Sequence, residues 1–243
     1  MTESFADLGI PFPLFEAPVS EAAEYSGAGT CALCGCEAQH TFLLGIGAYL
    51  IARCDGCAAA TGLSPTTRSA QPCLRCGRLV PWPAFPEADL KSCFACLRDG
   101  RAVLTKDTEF GMVSWEQSVS GVTHGLPGGL PRPDFEAVEL EEGWVGARIP
   151  GTHLSELVRT PTYLTIQGDR WLFCCVAPMT YVGPWSRADF SVRARGGDGE
   201  SLFYSIVDGA GPDLWLNRLH DETGVYVFRC RSCGRHRAHW DIA

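Results

Sequence analysis

Thirteen cysteines stand in this chain of 243 residues, and ten of them fall in five C-x2-C pairs. The pairs are Cys31/Cys34, Cys54/Cys57, Cys73/Cys76, Cys93/Cys96 and Cys230/Cys233, with Cys36, Cys174 and Cys175 completing the set. Two thiolates two residues apart, in a tight turn closed by glycine, converge on one metal ion together with nearby backbone N–H groups. CALCG, CLRCG and CRSCG have this form. Two such turns separated by about 15–20 residues make a tetrahedral four-thiolate Zn2+ site. Order along the chain therefore assigns Cys31, Cys34, Cys54 and Cys57 to one zinc. Cys73, Cys76, Cys93 and Cys96 go to a second. With four thiolates each, both sites are closed to water and substrate, and their role is to hold the fold.

The last knuckle, Cys230 and Cys233, has no further C-x2-C pair after it. It predicts either a third zinc or a reduced turn. A third site would take Cys175, Cys230 and Cys233, with the fourth ligand from Cys174, His236 or His239. Cys174 and Cys175 sit in a strand-like run, RWLFCCV, and neighbours on a strand face opposite ways, so only one of them easily reaches a given site. Three ligands and a water would be a hydrolytic geometry, with Asp169 or Asp241 as the base. No H-E-x-x-H, H-x-E…P-C-x-x-C or G-x-S-x-G motif accompanies it. Cys36 and His40 read as an ordinary thiol and an ordinary surface histidine, and Trp185, after Gly183-Pro184, as a candidate exposed binding surface.

Around these residues the chain must build elements that position them. Residues 1–26 read as an extended proline-rich arm, 27–106 as a duplicated zinc-binding module, and 107–135 as a linker or long loop. Residues 136–243 read as an α+β domain closed by the C-terminal CxxC knuckle. The fold class expected is thus α+β, with two N-terminal four-cysteine zinc-ribbon modules ahead of a mixed domain. Thr152 is the expected cap of a helix over HLSELV (153–158), and PDLWLNRLH (212–220) is the other expected helix. Strands are expected at TYLTI (162–166), RWLFCCV (170–176), SLFYSIV (201–207) and GVYVFR (224–229).

An odd cysteine count, paired thiols and an N-terminus without a basic, apolar leader point to a reducing compartment, the cytoplasm. No run of 18 apolar residues is present, so no membrane span is expected. The formal charge is −8. Two four-thiolate zincs would take it to about −12, the wrong sign for nucleic acid. A local patch remains open to the 18 arginines, which face only two lysines.

Several segments together resemble the bacterial CbrC-like proteins, a family associated by name with colicin tolerance. PFPLFEAPVSEA is similar to that family's opening, and CFACLRDG (93–100) to its C-P-W-C-I-A-D-G element. RTPTYLTIQGDRWLFCCVAPMTYVG (159–183) and YVFRCRSCGRHRAHWD (226–241) follow its second-half motifs. Members of the family carry a single N-terminal cysteine module, and here it is duplicated. Ile166, Cys174 and Met179 stand where the family has Trp, His and Cys, whereas Cys175, Cys230 and Cys233 match. The resemblance implies a zinc-stabilised immunity or tolerance protein whose partner is a protein, a basic toxin or a carrier. The alternative is a metalloenzyme using the C-terminal Cys/His cluster, with the zinc modules as scaffold or docking surface.

Overall fold

With 27 glycines and 16 prolines, the chain cannot sustain long regular elements. In the computed structural model, which describes residues 3–83, 90–129, 132–218 and 223–242, the elements are accordingly short. The architecture is α+β: several small antiparallel sheets and few helices. Two compact units divide the chain, one of residues 22–106 and 110–162, the other of 1–21, 107–109 and 163–243.

The first unit begins with β1 (Tyr25–Thr30), β2 (Glu37–Leu43), β3 (Ala48–Arg53), β4 (Ala60–Leu63), β5 (Gln71–Pro72), β6 (Leu79–Val80) and β7 (Lys91–Cys93). Helix α1 (Phe94–Arg98) and β8 (Ala102–Leu104) follow. The sheets have the orders β1-β2-β7, β4-β3-β8 and β5-β6. The chain leaves the first sheet at Leu44 and returns at Leu90, whose carbonyl accepts the Leu44 N–H at 2.8 Å. Everything between is an excursion nested inside the first module.

Beyond β9 (Lys106–Thr108), the stretch expected as a linker contains β10 (Gly111–Val113), α2 (Trp115–Ser120) and β11 (Leu126–Pro127). Ser114 and Gln117 form a capping box at the start of α2, and Gly121, at φ 72°, ends it. The S-x-x-Q spacing of this box is a local helix signal that lies ahead of the proline- and glycine-rich run 124–135 on which the linker expectation rests. β12 (Glu136–Glu141), β13 (Trp144–Arg148) and α3 (Gly151–Leu157) close the unit. Helix α3 begins after Pro150 rather than at Thr152. Arg98 and Glu156, bidentate at 2.5 and 3.0 Å, tie α1 to α3.

The second unit is built on β14 (Phe173–Cys174), β15 (Ala177–Pro178), β16 (Thr180–Pro184), α4 (Arg187–Arg193) and α5 (Gly199–Ile206). A π-helical turn over Leu214–Arg218, β17 (Thr223–Arg229) and β18 (His236–Ile242) complete it. The strand expected over 201–207 is helix α5: Asp198 caps it by accepting the Ser201 N–H at 2.9 Å. Leu202, Phe203 and Ile206 then pack on one core, a helical spacing that a short apolar run disguises. TYLTI makes no strand, because the backbone N–H groups of Ile166 and Gln167 are taken by the Asp241 carboxylate, at 3.1 and 3.0 Å.

Central β17 is buried on both faces, and its period-2 alternation sorts the residues. Val225 and Val227 join Phe190, Phe203 and Trp215 beneath α4 and α5. Tyr226 and Phe228 instead meet Tyr163, Trp171 and Tyr181. Phe5, Phe12 and Phe15 are also buried, and the Tyr181 N–H donates to Leu14 O at 2.9 Å. The N-terminal arm is thus core, not a strap laid over a surface; three aromatic rings in 11 residues are too apolar to stay in water. Trp185 is buried too, against Phe190 and His236, with the Arg193 guanidinium over its ring at 4.6 Å. The exposed surface expected of it is absent.

His239 lies in the aromatic core with its Nε2 at 2.7 Å from the Tyr163 hydroxyl. Burial first, then the charge of Arg170, depresses its pKa from 6.5 to about 3. A histidine depressed in the folded state binds its proton only on unfolding. Stability therefore falls as pH drops below about 6.5, at roughly 1.4 kcal/mol per unit until the folded pKa is reached. His239→Gln is expected to flatten the acid limb of thermal unfolding by that slope between pH 6 and 4, relative to the native chain. Identical slopes would mean that the ring titrates freely.

Candidate metal centres

Four of the five C-x2-C pairs sit in one repeated structure, a six-residue hairpin turn. Residues 31–36 join β1 to β2, 54–59 join β3 to β4, 73–78 join β5 to β6, and 230–235 join β17 to β18. In each, the first cysteine's N–H donates to the sixth residue's carbonyl, at 2.9, 2.9, 2.8 and 2.8 Å respectively. The fifth residue's N–H returns to the first carbonyl at 2.7–3.0 Å. That fifth residue takes a left-handed conformation: Gly35 (φ 72°), Ala58 (φ 56°), Gly77 (φ 71°) and Gly234 (φ 73°). Glycine adopts it freely, whereas an L side chain there costs about 1–2 kcal/mol. Ala58 departs from the pattern. Ala58→Gly is expected to raise denaturant-measured stability by about 0.5–1 kcal/mol once glycine's larger unfolded-state entropy is subtracted. Gly77→Ala should lower it by a similar amount.

The fifth pair, Cys93 and Cys96, opens α1 instead, with Cys93 at its N-cap position. Strands β1 and β7 both pair with β2, so Cys31, just after β1, and Cys93, at the end of β7, emerge at the same end of one sheet. The Cys93 N–H donates to Cys31 Sγ at 3.3 Å, and Cys34 and Cys93 Sγ are 3.9 Å apart. Arg101 spans the two turns, donating to Cys96 Sγ at 3.5 Å and to the Leu33 carbonyl.

Three groups of four sulfurs result, each with all ligand atoms within 4.8 Å of one another. They are Cys31, Cys34, Cys93 and Cys96; Cys54, Cys57, Cys73 and Cys76; and Cys174, Cys175, Cys230 and Cys233. The pairing expected from chain order is overturned: the outer knuckles meet each other and the inner two meet within the excursion. Spacing in sequence could not show this, because β-pairing between residues 37–43 and 91–93 decides it. Closest sulfur pairs are 3.5 Å for Cys54–Cys76 and Cys57–Cys73, and 3.7 Å for Cys174–Cys233. Four sulfurs bonded to one tetrahedral zinc at about 2.3 Å lie about 3.8 Å apart, so the donor sets fit such an ion. They do not fit disulfides, whose sulfurs are bonded at about 2.0 Å; all thirteen thiols are free. Cys36 is exposed and outside the groups.

In the third group both Cys174 and Cys175 contribute, against the opposite-faces expectation. Cys174 pairs with Ala177 across the β14–β15 hairpin, and Cys175 and Val176 are its turn, at φ 54° and 56°. Positive φ at both central residues marks the kind of turn that glycine and asparagine usually fill. It swings Cys175 Sγ to 3.8 Å from Cys174 Sγ. The histidines offered as alternatives are elsewhere: His239 bonds Tyr163, and His236 packs on Trp185. Asp241 is spent on the Tyr226 hydroxyl and two backbone N–H groups, and Asp169 is outside the group.

A buried clamp that sequence reasoning missed positions β14. Arg237 and Glu109 pair at 2.8 and 3.0 Å; Glu109 accepts the Phe173 N–H at 2.7 Å, and Arg237 donates to Phe173 O at 2.6 Å. Asp208 bonds the same guanidinium. Both backbone groups of the residue before Cys174 are therefore fixed by one ion pair. The acidic member lies 128 residues from its partner, and no local signal marks it.

Backbone N–H groups inside the knuckles favour thiolate. The Cys36 N–H lowers Cys34 to about 7, those of Cys76 and Arg75 lower Cys73 to about 6, and that of Arg235 lowers Cys233 to about 7. Burial raises Cys96 and Cys174. Each group thus mixes a ready thiolate with thiols whose protons a metal must displace, so metal affinity falls as pH falls.

No helix among the described residues is long and apolar enough to cross a membrane. No solved structure matches the chain. A protein of Pseudomonas aeruginosa named "UPF0167 protein PA1536" is 31% identical over 90 residues, which cover 35% of this chain and 47% of that protein. The match spans about half the length of that relative. The model of an uncharacterised protein family (UPF0167) matches residues 58–242, a span that takes in the whole third group and the knuckles at 73–76 and 93–96. By a match over about three quarters of its length, the chain belongs to the uncharacterised protein family UPF0167.

Proposed function

We propose that this chain is a zinc-scaffolded bacterial interaction protein of the immunity or tolerance type, acting in the cytoplasm on a basic protein partner. The observation that carries the reading is that every four-cysteine group is complete. Four sulfurs converge in each, so a bound zinc has no open position for water or substrate. A zinc enzyme needs such a position, and Cys174 fills the one that the histidines left in doubt. Filled with zinc, three sites of net charge −2 would take the chain from −8 to about −14. A surface of that sign steers a basic partner into encounter and suppresses acidic ones. The resemblance to CbrC-like proteins points the same way.

The test is titration of the zinc-loaded chain with a small basic nuclease. Binding is expected to weaken at least tenfold between about 50 and 200 mM salt, as screening shortens the reach of surface charge. Binding indifferent to salt, or none, would remove the acidic-surface reading and leave only the zinc scaffold.

A further inference from the structure

The nested excursion's four arginines all precede its last two acids, Glu87 and Asp89, so residues 45–89 total +1 without metal and −1 with a four-thiolate zinc, and the positive charge is local to the arginine-bearing part. Residues 45–83 hold four arginines and one aspartate, net +3, in a protein of net −8. Two of the arginines stand on the inner knuckle, C-L-R-C-G-R-L, where residues 74–79 are all exposed. Leu74 and Leu79 flank the turn at 74% and 69% exposure. Arg75 and Arg78 lie between them, and among the described residues neither is in an ion pair. At the C-terminal knuckle the positions of Leu74 and Leu79 are held by Arg231 and His236, so that turn carries no leucine on either side.

Arg78 is placed, not merely exposed. Its stem runs against Gly56 in the facing knuckle, where an added Cβ would come within 2.5 Å of the Arg78 Cδ. Glycine leaves that gap open, and Arg78 reaches the facing knuckle through it. Compensation of a dianionic metal centre would account for the arginines. It does not account for two leucines kept in water on either side of them, since apolar side chains there stabilise nothing until something covers them.

We propose that the inner knuckle, through Leu74, Arg75, Arg78 and Leu79, is a docking site for an acidic, apolar segment of a partner protein. The leucines cover its apolar side chains and the guanidiniums pair with its carboxylates. A single-stranded nucleic acid offers the same sign of charge but brings many phosphates toward a chain that is otherwise strongly acidic, and four arginines cannot offset that repulsion. A short acidic segment meets the basic turn alone. The site is independent of the basic partner above: either can fail without the other.

The test uses the full zinc-loaded chain and fluorescence anisotropy with three labelled probes: a peptide of alternating Glu and Leu, its Lys/Leu counterpart, and oligothymidylate. The acidic peptide is expected to bind, and the other two not. Leu74→Ser/Leu79→Ser and Arg75→Glu/Arg78→Glu should each weaken binding by at least about tenfold. Gly56→Ala, which displaces Arg78, should weaken it several-fold. Zinc content is measured in every variant; unchanged stoichiometry shows that the turn is intact, and Leu74→Ser/Leu79→Ser alters only exposed side chains. Equal binding of the Lys/Leu peptide, binding of oligothymidylate instead, no binding of any probe, or leucine variants that bind normally would each overturn the proposal.

Discussion

Cys31→Ser/Cys93→Ser is expected to lose one zinc of three, whereas Cys31→Ser/Cys54→Ser is expected to lose two. Elemental analysis of the purified variants, or counting bound cadmium by NMR, reads the difference directly. The expectation follows from the sheet order β1-β2-β7, which places Cys31 and Cys93 at one end of one sheet and leaves Cys54 to the excursion. The reverse result, two metals lost from the first variant and one from the second, would restore pairing by chain order. The effect on stability is large, because a structural zinc contributes on the order of 10 kcal/mol of folding free energy at neutral pH. A variant that loses one site should keep the other knuckle pair folded only where that pair's own strands close it. Cys54 and Cys73 both sit in hairpins of the excursion, so their loss should expose residues 45–83 to protease while β1, β2 and β7 persist.

Glu109→Gln should cost about 3–5 kcal/mol, the range for removing one partner of a buried ion pair. The side chains of Glu109 and Arg237 are 1% and 9% exposed, so the guanidinium left behind keeps the Phe173 carbonyl and, as its charged partner among the described residues, Asp208, which is itself 37% exposed. Denaturant unfolding measures the loss. An exposed pair provides the control: Glu136 and Arg148, 2.9 Å apart with side chains 65% and 51% exposed, should cost under about 1 kcal/mol when Glu136→Gln breaks it. The buried substitution carries a second signature. Gln keeps one oxygen for the Phe173 N–H but turns an amide NH2 toward Arg237 Nη2 in place of Oε2, so the clamp on Phe173 loosens and Cys174 should release the third metal to a chelator faster than in the native chain. A large stability loss with unchanged release kinetics would mean that the clamp stabilises the unit without positioning the metal group.

The sequence determined the local chemistry. C-x2-C followed by glycine specifies a six-residue turn that orients two thiols and their N–H donors, and those turns form wherever the motif occurs. The glycine is missing at Cys57-Ala58, where the backbone adopts the left-handed conformation anyway, and at Cys96-Leu97, where the pair opens a helix instead. Strand β17 was equally legible, since GVYVFR has the β-branched and aromatic residues of a half-turned apolar strand. Capping explains two of the misreadings. Asp198 converted an apolar run into α5, and Ser114 with Gln117 raised α2 inside the stretch expected as a linker.

What only the tertiary structure decided was which turns share a metal. Four knuckles of the same shape are interchangeable as far as their own residues go; partnership comes from strand pairing across 48 or more residues, as at Leu43 and Lys91. The same holds for Cys175, whose orientation depends on a hairpin turn with two non-glycine residues at positive φ, and for Glu109, which meets Arg237 only after the sheet forms. Short-range geometry is encoded residue by residue through φ/ψ preference and capping. Long-range pairing is encoded through burial of the whole set of apolar side chains, and no window of sequence contains it.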